Sequence, residues 1–316
     1  MASLIRESGN MVESYINTSP GPWIMAWRRL KTNRASVTAL IFLAVLFFIA
    51  IFAPLLAPYS YRDQFRGVEK SPPSFSPPVK LIDNEPDGGP RKVFYLGTDI
   101  QARDVYSRML YGARVSLMVG FVATAISLLV GISLGLISGY FGGWIDACIM
   151  RLADTVFAFP SVLLAVAITS VFDKPSLAVV FLALGIVGWT GLSRVVRSQT
   201  LSLKTLDYVQ AARALGASPA RILFMHILPN CMGPIVVVAT LSVGGNILGE
   251  AGLSFLGLGV QEPYPSWGAM LADAREYYRD AWWLGVFPGL AIVTTVLAFN
   301  LFGDGLRDAL DPRHNR

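Results

Sequence analysis

Charge is what this sequence has least of. Asp, Glu, Lys and Arg make up 15% of its 316 residues, against roughly 25% in a soluble domain. Hydrophobic residues reach 53%, so an integral membrane protein is expected. Histidine is nearly missing: only His226 and His314 occur, and neither can build a metal site in an external loop. Cysteine is as scarce. Cys148 and Cys231 both fall near expected cytoplasmic ends of spans, where a disulfide is not expected, and no redox or zinc role follows. No GxxxxGK[ST] phosphate loop is present, so the chain is not expected to bind or hydrolyse ATP itself. The net charge of +5 is spread along membrane edges, with no basic run interleaved with aromatics. Lipid headgroups, and not nucleic acid, account for it.

What is present is apolar length. Six runs free of Asp, Glu, Lys, Arg and His cover about 37 to 57, 115 to 137, 155 to 172, 177 to 193, 231 to 249 and 283 to 302. Each is close to the ~20 residues, within about 17 to 25, that a helix needs to cross the hydrocarbon. The expected fold class is all-α, a polytopic membrane helix bundle with six transmembrane helices. Pro160 and Pro288 fall inside two runs, which spanning helices tolerate when neighbours satisfy the freed backbone groups. The first 34 residues are too long and polar for the front of a cleaved signal, so the first run reads as a retained anchor.

Basic residues set the expected orientation. Arg28, Arg29, Lys31 and Arg34 crowd the start of the first span, and Arg194, Arg197, Lys204, Arg213 and Arg221 fill the loop after the fourth. Short loops on the other side carry Lys174, Arg275 and Arg279. Both termini are therefore expected in the cytoplasm, the second with Arg307, Arg313 and Arg316, while Trp282 and Trp283 form part of an outer aromatic belt. The organisation is a tail over 1–36, a first span at 37–57, an extracytoplasmic loop at 58–114, a five-helix core over 115–302 with a cytoplasmic loop at 194–230, and a tail at 303–316.

Several shorter patterns carry expectations. In PWIMAWRRLKTNR, residues 22 to 34, Trp23, Trp27 and Leu30 share one helical face, as in a helix lying at the membrane surface; it either clasps a neighbouring subunit or simply anchors. The external loop opens with the proline-rich SPPSFSPPVKLIDNEPDGGP and ends in a stretch that fits a surface helix near Asp104 to Leu110. Ser127, Gly131, Gly135 and Gly139 recur every four residues, a ridge that lets another helix approach closely. Arg151 and Asp154 are spaced for an i, i+3 ion pair beside Asp146.

The most informative stretch is YVQAARALGASPARILFMHILPN, Tyr208 to Asn230, a polar, alanine-rich segment between two apolar runs. Asp207 can cap a helix whose Tyr208, Ala211, Ala212 and Leu215 lie on one face. Gly216 suits a left-handed helix end, and Ser218 before Pro219 has the order of a new start. Two short helices therefore meet at Gly216. Ala211, Ala212, Ala214 and Ala217 remove bulk so that another protein could approach the backbone, with Arg213 and Arg221 nearby. The same physics also describes an amphipathic loop lying on headgroups. A membrane hydrolase finds no support, because no run holds a histidine or lysine to activate a serine. An ion-coupled secondary transporter often keeps intramembrane acids or histidines, which these runs lack, although backbone carbonyls can hold sodium.

This segment resembles the coupling-loop signature of ABC importer permeases, Glu-Ala-Ala, glycine after three further residues, and a closing leucine-proline. Those positions are Gln210, Ala211, Ala212, Gly216, Leu228 and Pro229 here. The tail HILPN is similar to the branch that imports peptides and nickel. GTDxxxRD at 97 to 104, GYFGGWID at 139 to 146, LSFLGLGVQEPYPSWG at 253 to 268 and FNLFGDGLRDALDP at 299 to 312 all look like the second, C-type permease subunit of that oligopeptide/dipeptide/nickel branch. Three positions depart from the pattern: Gln210 stands for the usual glutamate, Ala102 for a common glycine and Glu262 for a common proline.

The resemblance implies a type I ABC importer permease fold with a cytoplasmic coupling helix, in a bacterial inner membrane. It implies that Tyr208, Gln210, Ala211, Ala212, Arg213, Leu215, Gly216, Ala217, Ser218, His226 and Pro229 receive cytoplasmic ATP-binding cassette subunits. Those partners would hold ATP and Mg, and this chain would hold no catalytic residue, cofactor or metal. A second, homologous permease would complete a heterodimer in the lipid, and an extracytoplasmic binding protein would deliver cargo to a surface around Val260 to Tyr278. Short peptides are the expected cargo; a nickel or other small-solute importer of the same branch and an ion-coupled carrier are the alternatives.

Overall fold

The structure, a computed structural model, describes residues 21–74, 93–173 and 175–311. The first twenty residues, most of the proline-rich stretch, Lys174, Arg313, His314 and Arg316 lie outside the described residues.

Helix α1, Pro22–Leu30, precedes α2, Arg34–Ile51. Asn33 starts α2 by accepting the N–H groups of Ala35 and Ser36 at 3.1 and 3.3 Å. Ala26 and Leu30 bury α1 against Ala309 near the end of the last helix. Trp23 and Trp27 stay about half exposed, so Leu30 does not share their surroundings as the helical face suggested. The chain's own last helix takes that edge, leaving the tryptophans at the flank.

After the short α3, Ala53–Leu56, a long loop leads into α4, Val105–Phe141. The expected surface helix near Asp104 to Leu110 is instead the first turns of α4, with Val105, Arg108 and Leu110 buried. A small loop core of Phe65, Val68, Phe94 and Ala102 forms beside it. Asp104 caps α4, accepting the Ser107 N–H at 2.8 Å and its hydroxyl at 2.6 Å.

The four-residue ridge of α4 packs on α7, Leu177–Leu203, as expected. A Cβ on Gly131, Gly135 or Gly139 would lie 2.9 Å from Leu192, 2.6 Å from the Ser193 carbonyl oxygen or 2.7 Å from Thr200, respectively. Ser127 Oγ donates to the Gly185 carbonyl at 2.8 Å. Backbone contact at this distance is what small residues provide in lipid, where dispersion and hydrogen bonding replace the hydrophobic effect.

The third apolar run is not one straight span. Helix α5, Gly143–Phe157, and α6, Ser161–Thr169, meet at 87°. Pro160 stands at the break, where it lacks an N–H and disfavours helical geometry in its predecessor. Arg151 does not pair with Asp154. Both acids of α5 reach across to α7, Asp154 to Arg194 at 2.8 Å and Asp146 to Arg197 at 2.5 Å, because α5 lies against that helix.

Helix α8, Asp207–Ala214, is followed by α9, a 37-residue helix from Pro219 to Phe255. Its turn Ile222–Ile227 is π-helical. Helix α10, Trp267–Ala274, and α11, Trp283–Leu310, complete the bundle. Among the described residues five helices are long and apolar enough to cross a membrane, and six passages are reached if the bent pair counts as one span. Among the described residues there is no strand, only one isolated bridge between Thr98 and Asp104. Trp283 leaves the expected aromatic belt: it is 3% exposed and its indole donates to the Thr98 carbonyl at 3.2 Å, while Trp282 stays exposed.

Candidate functional site

The Tyr208–Asn230 segment folds as a bracket at one end of the bundle. Asp207 is the first helical residue of α8 and not its cap, for Leu206 precedes it without a side-chain bond; a carboxylate there still suits the positive helix end. Val209 is the anchor, 2% exposed among Leu136, Leu192, Val196 and Ile222. The opposite face, with Tyr208, Ala211 and Leu215, points outward, and Leu215 is 88% exposed. Ala212 and Ala217 are half-buried, while Gln210, Arg213, Gly216 and Ser218 are exposed.

The turn closes as the sequence foretold. Gly216 has φ +81°, the Ala217 N–H reaches the Ala212 carbonyl and the Gly216 N–H the Arg213 carbonyl, both at 3.0 Å. This is the paired bonding of a Schellman end. Ser218 then accepts the Arg221 N–H at 3.3 Å with Pro219 at the first helical position. The second element is not a separate short helix, because it continues without interruption into the span.

The two ends of the motif meet. Asn230 Nδ2 donates to the His226 carbonyl at 2.7 Å and to Tyr208 Oη at 3.4 Å, and the Tyr208 and His226 rings lie 6.4 Å apart. Pro229 is exposed beside them. Gln210, though exposed, folds back along the chain and donates through Nε2 to the Lys204 carbonyl at 2.7 Å, while Lys204 Nζ donates to the Gly139 carbonyl at 2.7 Å. Near Gln210 and Arg213 is a hollow of about 310 Å³.

At the far end of the bundle, GTDxxxRD builds a buried ionic knot. The Asp99 carboxylate accepts Arg103 Nε at 2.6 Å, a second bond from Arg108, and the backbone N–H groups of Gln101 and Arg103 at 2.8 and 2.9 Å. Arg103 also reaches Glu262 at 2.8 Å. Ala102 takes φ +58°, which explains why glycine suits that position. Desolvation by burial pushes Asp104 above the usual carboxylate range although Ser107 bonds to it. Asp273 on α10 is likewise raised, first by burial, against the pull of Arg108.

One residue escaped the sequence reading. Glu250 lies one position beyond the fifth apolar run, but α9 continues to Phe255 and buries it completely. Its Oε1 accepts the hydroxyls of Ser254 and Ser266 at 2.6 and 2.7 Å. Ser266 in turn caps α10 through the Ala269 N–H at 3.0 Å. The run's end at a charge hid the residue; a helix long enough to need no charge-free window would have included it. Val260 is buried, whereas Glu262, Tyr264 and Tyr278 are exposed around it.

Comparison with known proteins agrees with these features. The family described as "Binding-protein-dependent transport system inner membrane component" matches residues 131–316, and "N-terminal TM domain of oligopeptide transport permease C" matches residues 21–78. The dipeptide transport system permease protein DppC of Alkalihalophilus pseudofirmus is 45% identical over 94% of this chain and 91% of its own length. The glutathione transport system permease protein GsiD of Pectobacterium atrosepticum is 42% identical over 92% of this chain and 91% of its own. A chain of the inward-facing MetNI methionine ABC transporter superposes with TM-score 0.53 at 18% identity, covering 65% of this chain and 96% of that one. The fold is thus that of type I ABC importer permeases, and the chain belongs to the family of binding-protein-dependent transport system inner membrane components.

Proposed function

We propose that this chain is the C-type permease subunit of an ATP-driven importer for short peptides, moved by ATPase subunits that dock on the bracket from Tyr208 to Pro229. The observation that carries this reading is the outward face of α8. Leu215, 88% exposed, shares that face with exposed Tyr208 and Ala211 beside the Schellman turn, and an apolar face of this kind supports docking of a partner. Dipeptide and glutathione relatives support the peptide class. In this reading the contact residues are Tyr208, Gln210, Ala211, Ala212, Arg213, Leu215, Gly216, Ala217, Ser218, His226 and Pro229. The bracket and both termini lie in the cytoplasm, and the loop between α3 and α4 with the Val260 to Tyr278 surface faces an extracytoplasmic binding protein. A second, homologous permease completes the path, and ATP and Mg belong to the ATPases. Closure of the ATPase pair on nucleotide pushes the bracket, and the push alters which side of the membrane the path faces.

Affinity purification of the detergent-solubilised chain tests this. Wild type is expected to bring a second permease and ATPase subunits, and Gly216→Asp to lose the ATPases alone. A chain that purifies by itself in both forms would overturn the reading in favour of a self-contained carrier.

A further inference from the structure

Glu250 is a buried acid that the importer reading leaves without a task. It lies on the spanning helix α9 with no exposed surface, and no cation pairs with it among the described residues. Burying a carboxyl is unfavourable unless its oxygens are bonded, and apolar replacement of buried charged groups is often neutral for stability. What Glu250 holds explains its presence better than stability does.

The carboxyl joins three segments. Its Oε1 accepts the hydroxyl of Ser254, one turn on in α9, at 2.6 Å and that of Ser266, the cap of α10, at 2.7 Å. Ser254 Oγ also accepts the Val260 N–H at 3.3 Å, which ties in the intervening loop. A serine hydroxyl has a single proton. With that proton directed to Glu250, Ser266 presents its lone pairs to the Ala269 N–H, 3.0 Å away, so the carboxyl fixes the cap and through it the start of α10. The Trp267 N–H, donating to Ser116 of α4 at 3.1 Å, completes the anchorage.

Packing at this junction is tight. A Cβ on Gly268 would lie 2.6 Å from Ala251 Cα and 3.1 Å from Glu250 Oε2, and one on Gly259 would overlap Ser254. Glu250 Oε2 itself has no partner among the described residues, so the hold is exerted through Oε1 alone. Next to the junction lies a hollow of about 510 Å³, with Ser254, Gly259 and Glu262 on one side and Ala269, Asp273 and Tyr277 on the other. Its two sides are joined where Ser254 and Ser266 share one carboxylate oxygen.

We propose that Glu250 is a positioning residue, which holds α10 against the end of α9 so that the hollow between them keeps the shape on which the extracytoplasmic binding protein seats. The proposal rests on the importer reading above and adds to it the residue that sets the affinity of that docking.

The test uses the complete complex, this chain with its copurified second permease and ATPases, in lipid vesicles. Purified binding protein loaded with dialanine is added over a range of concentrations, and ATP hydrolysis is the signal. Glu250→Leu is expected to raise the binding-protein concentration for half-maximal stimulation about tenfold, while the rate at saturating binding protein stays at the wild-type level. Glu250→Gln, whose carbonyl oxygen can accept both hydroxyls, is expected to restore the wild-type concentration. Ser266→Ala removes only the cap; it should shift the concentration in the same direction and serves if Glu250→Leu fails to assemble. An unshifted concentration in assembled Glu250→Leu or Ser266→Ala complexes overturns the proposal, as does a fall in the saturating rate alone. Failure of both to assemble would reduce Glu250 to a structural residue and overturn it too. A wild-type complex that binding protein does not stimulate would remove the importer reading, and this proposal with it.

Discussion

Gln210 donates to the carbonyl oxygen of Lys204 at 2.7 Å, so the residue that replaces the usual glutamate of the motif ties α8 back to the end of α7. A carboxylate cannot donate this bond. Gln210→Glu is therefore expected to loosen α8 by about 0.5 kcal/mol, the low end for a net hydrogen bond because this one is exposed. Hydrogen exchange of the 207–217 amides should quicken relative to those of α9; unchanged exchange would refute the tie.

Gly216 is required for its conformation and not for space, since φ is +81° and no atom lies within 4 Å of an added Cβ. Gly216→Ala should cost about 1 to 2 kcal/mol in the local turn, whereas Gly216→Asn, a residue that enters this region readily, should cost less. ATPase recovery on purification should rank glycine, asparagine, alanine. Equal losses in both variants would show that close approach of a partner, and not backbone geometry, sets the requirement.

The α4–α7 contact makes the opposite prediction at Gly135. An added Cβ would sit 2.6 Å from the Ser193 carbonyl oxygen and 2.8 Å from Val196 Cβ, so Gly135→Ala should destabilise the bundle by about 1 to 3 kcal/mol. Gly245→Ala, with open space around it, is the control. Thermal unfolding in detergent separates them, and equal midpoints would contradict the ridge.

Asp104 gives stability a pH dependence. Its carboxyl is raised in the folded chain, chiefly by burial, so the folded form prefers it protonated. Its contribution is fully present below the ordinary carboxylate range and is lost as pH rises through the raised value. Asp104→Asn retains a cap for α4 and should flatten that slope. An identical pH profile in the variant would show that other groups carry the dependence.

Local patterns were legible in the sequence because a single helix or turn contains them. The Ser127 to Gly139 ridge and the Gly216 turn each depend on spacing within a few residues. Pairings between elements were not. Asp146 and Asp154 chose Arg197 and Arg194 on another helix over neighbours on their own, and Trp283 found the Thr98 carbonyl 185 residues away. Proline shows the same limit: Pro234 and Pro288 sit inside continuous helices, while Pro160 marks an 87° bend. The residue is the same, and the neighbours decide whether the freed backbone is satisfied in line or at an angle. In the bracket, Gly216 and Ser218 announced their roles, but Val209, which anchors it, reads as one more apolar residue until the cores are joined.

The unbroken course of α9 has a mechanical consequence. From Pro219 to Phe255 it is a rod of 37 residues, about 55 Å long, with the bracket's turn at one tip and Glu250, tied to Ser266, near the other. A rod cannot absorb a sideways load at its tip by folding; it swings. Its hydrogen-bond ladder departs from regular α-helix at the widened turn Ile222–Ile227 and at Pro234, which lacks an N–H. A push on the bracket is therefore expected to be felt at the cap of α10 at the opposite end of the rod.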